Sequence, residues 1–116
     1  MTTPPRFPQV SHPVLASGGL PRRSKVVSAA DAVRLIRPGD TVATSGFVGI
    51  GFAEGIACAL EALYLNPIPG PFERPRDLTL IYAAGQGDGK SRGLNHLGHE
   101  GLVRRVIGGH WGLVPA

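Results

Sequence analysis

"LTLIYAAGQGDGKS", residues 78–91, decides how this chain folds. Leu78 to Ala83 is an apolar run without polar alternation, the mark of a strand covered on both faces of a parallel sheet. A glycine-rich loop follows at once. In open α/β sheets, a loop at the carboxyl end of a strand is where ligand sites form. The same letters also fit a phosphate loop if Ala84 stands for the first glycine, as Ala84-x-x-x-x-Gly89-Lys90-Ser91. That chemistry needs backbone N–H groups around the phosphates, a lysine on the outer ones and a hydroxyl on magnesium. It also needs a helix that opens at the Lys-Ser step. Here Arg92-Gly93 follows instead, and Gly98 and Gly101 interrupt the next turns. Each interior glycine costs a helix about 1 kcal/mol. No later strand ends in a carboxylate for the metal. What survives is a strand that delivers a glycine loop to the sheet edge.

Working upstream, Asn66 to Asp77 is a proline-laden connection, and Phe52 to Leu65 is predicted to be a helix with Ile56, Ala59, Leu60 and Leu63 on one face. Thr41 to Ser45 is a short β-branched strand. Before it, Ser28 is placed to cap a helix that carries Ala29, Ala32, Val33 and Ile36, with Asp31 on the favourable end of the dipole. Pro38-Gly39 stops that helix. Downstream, a weak helical stretch is predicted to end near Arg105, with a last strand over Val106 to Trp111. Helix and strand alternate, which predicts a parallel sheet with right-handed crossovers. Three strands are few, and no covering helix follows the last one. The expectation is an incomplete α/β domain, the beginning of a larger fold.

The chain has 116 residues and a net charge of +4. The excess lies in Arg6, Arg22, Arg23 and Lys25, whereas residues 26–116 carry as many acids as bases. Five prolines fall in the first 21 residues. Residues 1–24 are therefore expected to be a disordered, basic, proline-rich extension. The charge distribution argues against a nucleic-acid face, and no apolar run spans a bilayer. Cys58 is the single cysteine, which excludes an intrachain disulfide and fits a cytoplasmic setting. Between Ala57 and Ala59, it is expected to be a small buried hydrophobe. His96, His99 and His110 with Glu100 match no zinc-hydrolase order. They are expected to be hydrogen-bonded structural histidines near a sheet edge, with no metal. Dinucleotide fingerprints fail at Glu54 and Arg92, where glycine is required.

"SGFVGIG", residues 45–51, lies between a strand and a helix. Backbone N–H groups converge there, and the helix dipole is positive. Such a loop suits an anion or a developing oxyanion, with Phe47 as an apolar wall. A tight turn without a ligand fits the same spacing equally well.

"DTVATSGFVGIG" and "LTLIYAAGQGDGKSRGLNHLGHEGLVRRVIGGHWGLVPA", in that order, closely resemble the N-terminal part of the family I CoA-transferases, which include acyl-CoA:acetate/propionate and 3-oxoacid CoA-transferases. The resemblance covers residues 25–116 and implies an incomplete, Rossmann-like α/β domain with a parallel sheet. It implies transfer of CoA between an acyl-CoA and a short-chain carboxylate, such as acetate or propionate, through a glutamyl-CoA thioester. It assigns Ser45, Gly46, Phe47, Val48 and Gly49 to the oxyanion and substrate loop. It assigns Gly85, Gln86 and Gly87 to substrate binding, with Gln86 polarising a substrate oxygen. CoA thioester is then a substrate, and no tightly bound cofactor is implied. The family's nucleophile, a glutamate in a Glu-x-Gly context, matches none of Glu54, Glu61, Glu73 or Glu100. This chain alone is thus expected to be inactive, and to need the C-terminal portion or subunit as its partner. The alternative reading is a small nucleotide- or nucleic-acid-binding module built on Lys90 and the basic extension.

Overall fold

The computed structural model describes residues 25–71 and 73–116, so the extension expected over residues 1–24 lies outside the described residues. The chain enters through Ser28, which caps α1 (Ala29–Ala32) by accepting the Asp31 N–H at 3.1 Å. A 3₁₀ turn over Val33–Leu35 ends the helix early. Only Val33 is buried in these two turns, so little packing holds a longer helix in place.

Three strands follow: β1 (Thr41–Ala43), β2 (Leu78–Tyr82) and β3 (Val103–Gly108), all parallel and in the order β1-β2-β3. The register aligns Val42 with Leu80 and Leu80 with Val106. One sheet face therefore carries Val42, Leu78, Leu80, Tyr82 and Val106. Against it pack α2 (Glu54–Leu65), through Leu60 and Leu63, and a 3₁₀ turn (Leu94–Leu97), through Leu94 and Leu97. Leu78 and Leu102 are fully buried in this core. Each such leucine contributes about 1.5–3 kcal/mol by leaving water.

The sheet departs from expectation on its other face. Among the described residues β2 is covered on one side only: Leu78, Leu80 and Tyr82 are buried, but Ile81 is 40% exposed and its neighbour on β3, Ile107, is 45% exposed. The apolar run is an accurate record of two apolar faces. Only one of them meets a partner here.

Two further differences have local causes. No α-helix lies between β2 and β3; the glycines at 93, 98 and 101 reduce the stretch to the single 3₁₀ turn. Strand β3 then begins at Val103, so Arg104 and Arg105 lie in a strand rather than at a helix end. In α2 the buried stripe is Ala57, Leu60 and Leu63. Ile56 is 37% exposed and Ala59 is half-buried.

Candidate functional site

The loops after β1 and β2 leave adjacent strands at the same edge of the sheet. In the first, Phe47 and Ile50 exchange two backbone hydrogen bonds of 2.9 and 2.8 Å around a two-residue turn, Val48-Gly49. Val48 takes a φ of 57°. A β-branched side chain rarely accepts that conformation, which is strained by about 1–3 kcal/mol. The turn holds Phe47 and Ile50 in solvent, 62% and 76% exposed. The N–H groups of Phe47, Val48 and Ile50 are spent on protein acceptors. Those of Gly46, Gly49 and Gly51 donate to no acceptor among the described residues. Ser45 is exposed beside them. Helix α2 opens only at Glu54, and its first turn carries that acid, so the positive end of the dipole already has a carboxylate.

The second loop is packed rather than presented. Gly85, Gln86 and Gly87 are buried, and Gln86 is 1% exposed. A Cβ on Gly87 would lie 2.4 Å from the Leu113 carbonyl oxygen, and one on Gly93 would lie 2.4 Å from the Gln86 carbonyl oxygen. Gly93 also needs its φ of 70°. The Leu94 N–H donates to the Gln86 carbonyl at 2.9 Å and the Gly89 N–H to the Leu113 carbonyl at 3.0 Å. Buried Asn95 donates to the carbonyls of Arg92 and Leu113 at 2.8 and 3.1 Å.

The two loops meet. The Val48 N–H donates to the Gly85 carbonyl at 2.8 Å. The Gln86 amide nitrogen reaches the carbonyls of Thr44 and Gly46 at 3.4 and 3.5 Å. Gln86 Oε1 and Thr44 Oγ1 are buried beside this junction without a hydrogen-bond partner. The side chain of Gln86 is thus directed at the main chain of the first loop.

The phosphate-loop pattern has a direct physical answer. Asp88 Oδ1 accepts from the N–H groups of Lys90, Ser91 and Arg92 at 2.9, 2.9 and 3.0 Å. These are the donors that a phosphate would require, and the chain's own carboxylate fills them. The bonds from Arg92 and Lys90, the strongest causes, hold the Asp88 carboxyl below its ordinary value.

A network absent from the sequence reading lies between α2 and the Leu94–Leu97 turn. His96 Nδ1 is 2.6 Å from Glu61 Oε2, and His96 Nε2 is 2.8 Å from Glu54 Oε1. His99 Nε2 is 2.7 Å from Glu61 Oε1. The Glu54 carboxylate also accepts the Gly93 N–H, at 3.1 Å through Oε2. Burial disfavours a charged His96 ring, but the Glu61 and Glu54 carboxylates together hold its pKa above the ordinary value. The hydrogen bond from His99 leads in holding Glu61 below its own. His96 and His99 therefore sit against a helix, not at a sheet edge. Cys58 corrects its expectation: it is exposed, with Sγ 3.4 Å from His96 Nε2. Sequence neighbours gave no hint of that, because the histidine comes from 38 residues away. A usable signal was the spacing of Glu54, Cys58 and Glu61, which puts all three on one face of α2.

No family model matches the chain. Individual proteins do. The acetate CoA-transferase YdiF of Escherichia coli K12 is 36% identical over 95 residues, which are 80% of this chain and 17% of that protein. The caffeate CoA-transferase of Acetobacterium woodii is 33% identical over 89 residues, 77% of this chain and 16% of its own length. The apoenzyme structure of the acyl-CoA transferase YdiF from E. coli O157:H7 aligns with a TM-score of 0.71 at 35% identity, covering 82% of this chain and 18% of that one. Its thioester complex with CoA aligns with a TM-score of 0.69 at 36% identity, covering 77% and 18%. The chain thus spans about a sixth of the length of the curated relatives it matches.

Proposed function

We propose that this chain, related by sequence and by fold to a segment of the CoA-transferases, forms one wall of an acyl-CoA:carboxylate CoA-transferase active site. The wall is the pair of loops after β1 and β2. The observation that carries the reading is their junction, where the Val48 N–H bonds the Gly85 carbonyl at 2.8 Å and the buried Gln86 amide points at the Thr44 and Gly46 carbonyls. The first loop faces substrate, and the second fixes its position.

In this reading Gly49, whose N–H is not spent within the loop, and Ser45 face the developing oxyanion, and Phe47 and Ile50 supply apolar contact. Donors held in place before reaction stabilise charge as it forms, without reorganising at that moment. Gln86 acts on the substrate through the loop it braces. The nucleophile is a glutamate of the rest of the enzyme. It attacks the acyl-CoA thioester and expels CoA thiolate, which attacks the glutamyl carbonyl of the resulting anhydride and releases the first carboxylate. The acceptor carboxylate then displaces thiolate from the glutamyl thioester. That thiolate attacks the acceptor's acyl carbonyl, giving the new acyl-CoA and the free glutamate. The bare sheet face at Ile81 and Ile107 supports the same reading, since parallel sheets are normally covered on both faces. The covering layer would belong to the N-terminal domain of which residues 25–116 are a part.

The test is reconstitution. The chain is combined with the remaining portion of a related CoA-transferase, and exchange of CoA between acetyl-CoA and propionate is followed. Exchange that requires both parts is the expected result. A folded complex without exchange contradicts the proposal.

A further inference from the structure

Helix α2 presents Glu54 and Cys58 one turn apart, and the Leu94–Leu97 turn brings His96 over them. One ligand-capable atom from each, a carboxylate oxygen, a thiol sulfur and a ring nitrogen, lies within 4.8 Å of the other two. We propose that Glu54, Cys58 and His96 form a binding site for a divalent ion of the zinc class, distinct from the loop atoms proposed to face substrate.

Four observations support this. First, the donors have the right mixture: imidazole, thiolate and carboxylate are all ligands zinc takes, and the thiolate and imidazole are softer than the oxygen ligands magnesium or calcium prefer. Second, the spacing is close to what the ion needs. His96 Nε2 is 2.8 Å from Glu54 Oε1 and 3.4 Å from Cys58 Sγ. Bonds of about 2.0–2.3 Å place the ligand atoms of a tetrahedral ion roughly 3.3–3.7 Å apart. The carboxylate would have to retreat from the ring by only about half an ångström.

Third, the ring is already oriented. Glu61 Oε2 sits 2.6 Å from His96 Nδ1 and accepts the Nδ1–H hydrogen bond, so Nε2 is the nitrogen that gives up its proton to the site when an ion binds. Metal-bound histidines almost always donate their other ring N–H to a carboxylate, a backbone carbonyl or water, and Glu61 is such a partner. Glu61 is in turn held by His99 at 2.7 Å. Glu54 is braced by the Gly93 N–H at 3.1 Å. Fourth, the charge balances: one carboxylate and one thiolate neutralise a divalent ion. Cys58 is exposed, so an ion can enter. On binding, the Cys58 S–H bond breaks heterolytically and its proton goes to solvent. Any proton on His96 Nε2 leaves the same way. Three protein ligands leave a fourth position for water or another small ligand.

The experiment uses the 116-residue chain, kept reduced, titrated with cobalt(II) as a spectroscopic stand-in and then with zinc(II). One equivalent of cobalt should give a sulfur-to-cobalt charge-transfer band and the intense visible bands of a four-coordinate ion, and zinc should bleach both. Cys58→Ser, an exposed and conservative change, should remove the charge-transfer band. His96→Gln should abolish binding. Glu61→Gln should leave the bands but weaken affinity about 10–100-fold, a loss that an unstructured chain would not show. Zinc should raise the melting midpoint of the wild type and not that of Cys58→Ser. Absence of the sulfur band in the wild type, its persistence in Cys58→Ser, or equal zinc stabilisation of both chains overturns the proposal and leaves a hydrogen-bonded cluster only. Reconstituted CoA exchange does not depend on the outcome.

Discussion

The loop after β1 leaves Phe47 and Ile50 in solvent and keeps the Gly49 N–H unspent, whereas the loop after β2 buries Gly85, Gln86, Gly87 and Gly93. Both are glycine-rich, and both leave parallel strands at one edge. Their glycines serve opposite ends. In the first loop Gly49 has open space around the position of a Cβ. In the second, Gly87 and Gly93 have carbonyl oxygens there, each at 2.4 Å. At Gly49 the first loop has open space beside its backbone, although Gly46 at its base does not. The second loop is thin because the protein has already approached it. Glycine content alone therefore does not mark a ligand loop; what fills the space beside the backbone does.

The largest test of this contrast is Gly93→Ala. Its Cβ would strike the Gln86 carbonyl, and its φ of 70° disfavours any side chain. The expected loss is about 3 kcal/mol or more in a urea unfolding curve, from strain and overpacking together. A loss near zero would mean that the second loop is as open as the first. Next comes Gln86→Leu. The two bonds it removes are long, and Gln86 Oε1 has no partner to lose. The cost should be about 1 kcal/mol or less. The Val48 amide should nevertheless exchange with solvent faster, because the brace between the loops is gone. Unchanged exchange would break the link between them.

A pH titration sharpens the contrast further. Asp88 holds the N–H groups of Lys90, Ser91 and Arg92, and its carboxyl lies below its ordinary value in the folded state. A lowered carboxylate stabilises the loop fully above the unfolded-state value, and that contribution is lost as pH falls through the folded-state value. The three amide proton resonances should keep their hydrogen-bonded shifts at neutral pH. They should move together upfield only in acid, below the usual carboxylate range. In Asp88→Asn the acid step should vanish. The smallest effect belongs to Gly49→Ala, which meets open space and should alter stability by no more than about 0.5 kcal/mol. A large loss would show that the first loop is packed after all.

Much of this was legible in the residues. Although the first helix ends at Ala32 and its 3₁₀ turn at Leu35, before the expected stop at Pro38-Gly39, Ser28 as a cap and the strand at residues 78–82 rest on local chemistry, which sequence carries. So does the failure of the phosphate loop, though for a reason the glycines downstream only hinted at. An aspartate two residues before Lys90 is a turn-forming acceptor for its own backbone, and here it takes the donors a phosphate would need. What sequence withheld is non-local. Glu54 and Glu61 find His96 and His99 across 35 to 42 residues, with no spacing rule to join them. The uncovered face of β2 was equally hidden, because Ile81 reads as buried whether or not its partner is present.

The central claim is that the loop after β1 faces the reacting atoms. Its most direct test is the rate of CoA exchange in the reconstituted enzyme carrying Gly46→Val, measured beside its melting midpoint. A Cβ at Gly46 would lie 2.9 Å from the Phe52 nitrogen and 3.0 Å from the Ile50 carbonyl oxygen, so it displaces the loop that carries Gly49. The account predicts that the rate per folded molecule falls about 10²-fold or more, the scale of a lost oxyanion donor. Exchange at the wild-type rate in a folded Gly46→Val enzyme would contradict it.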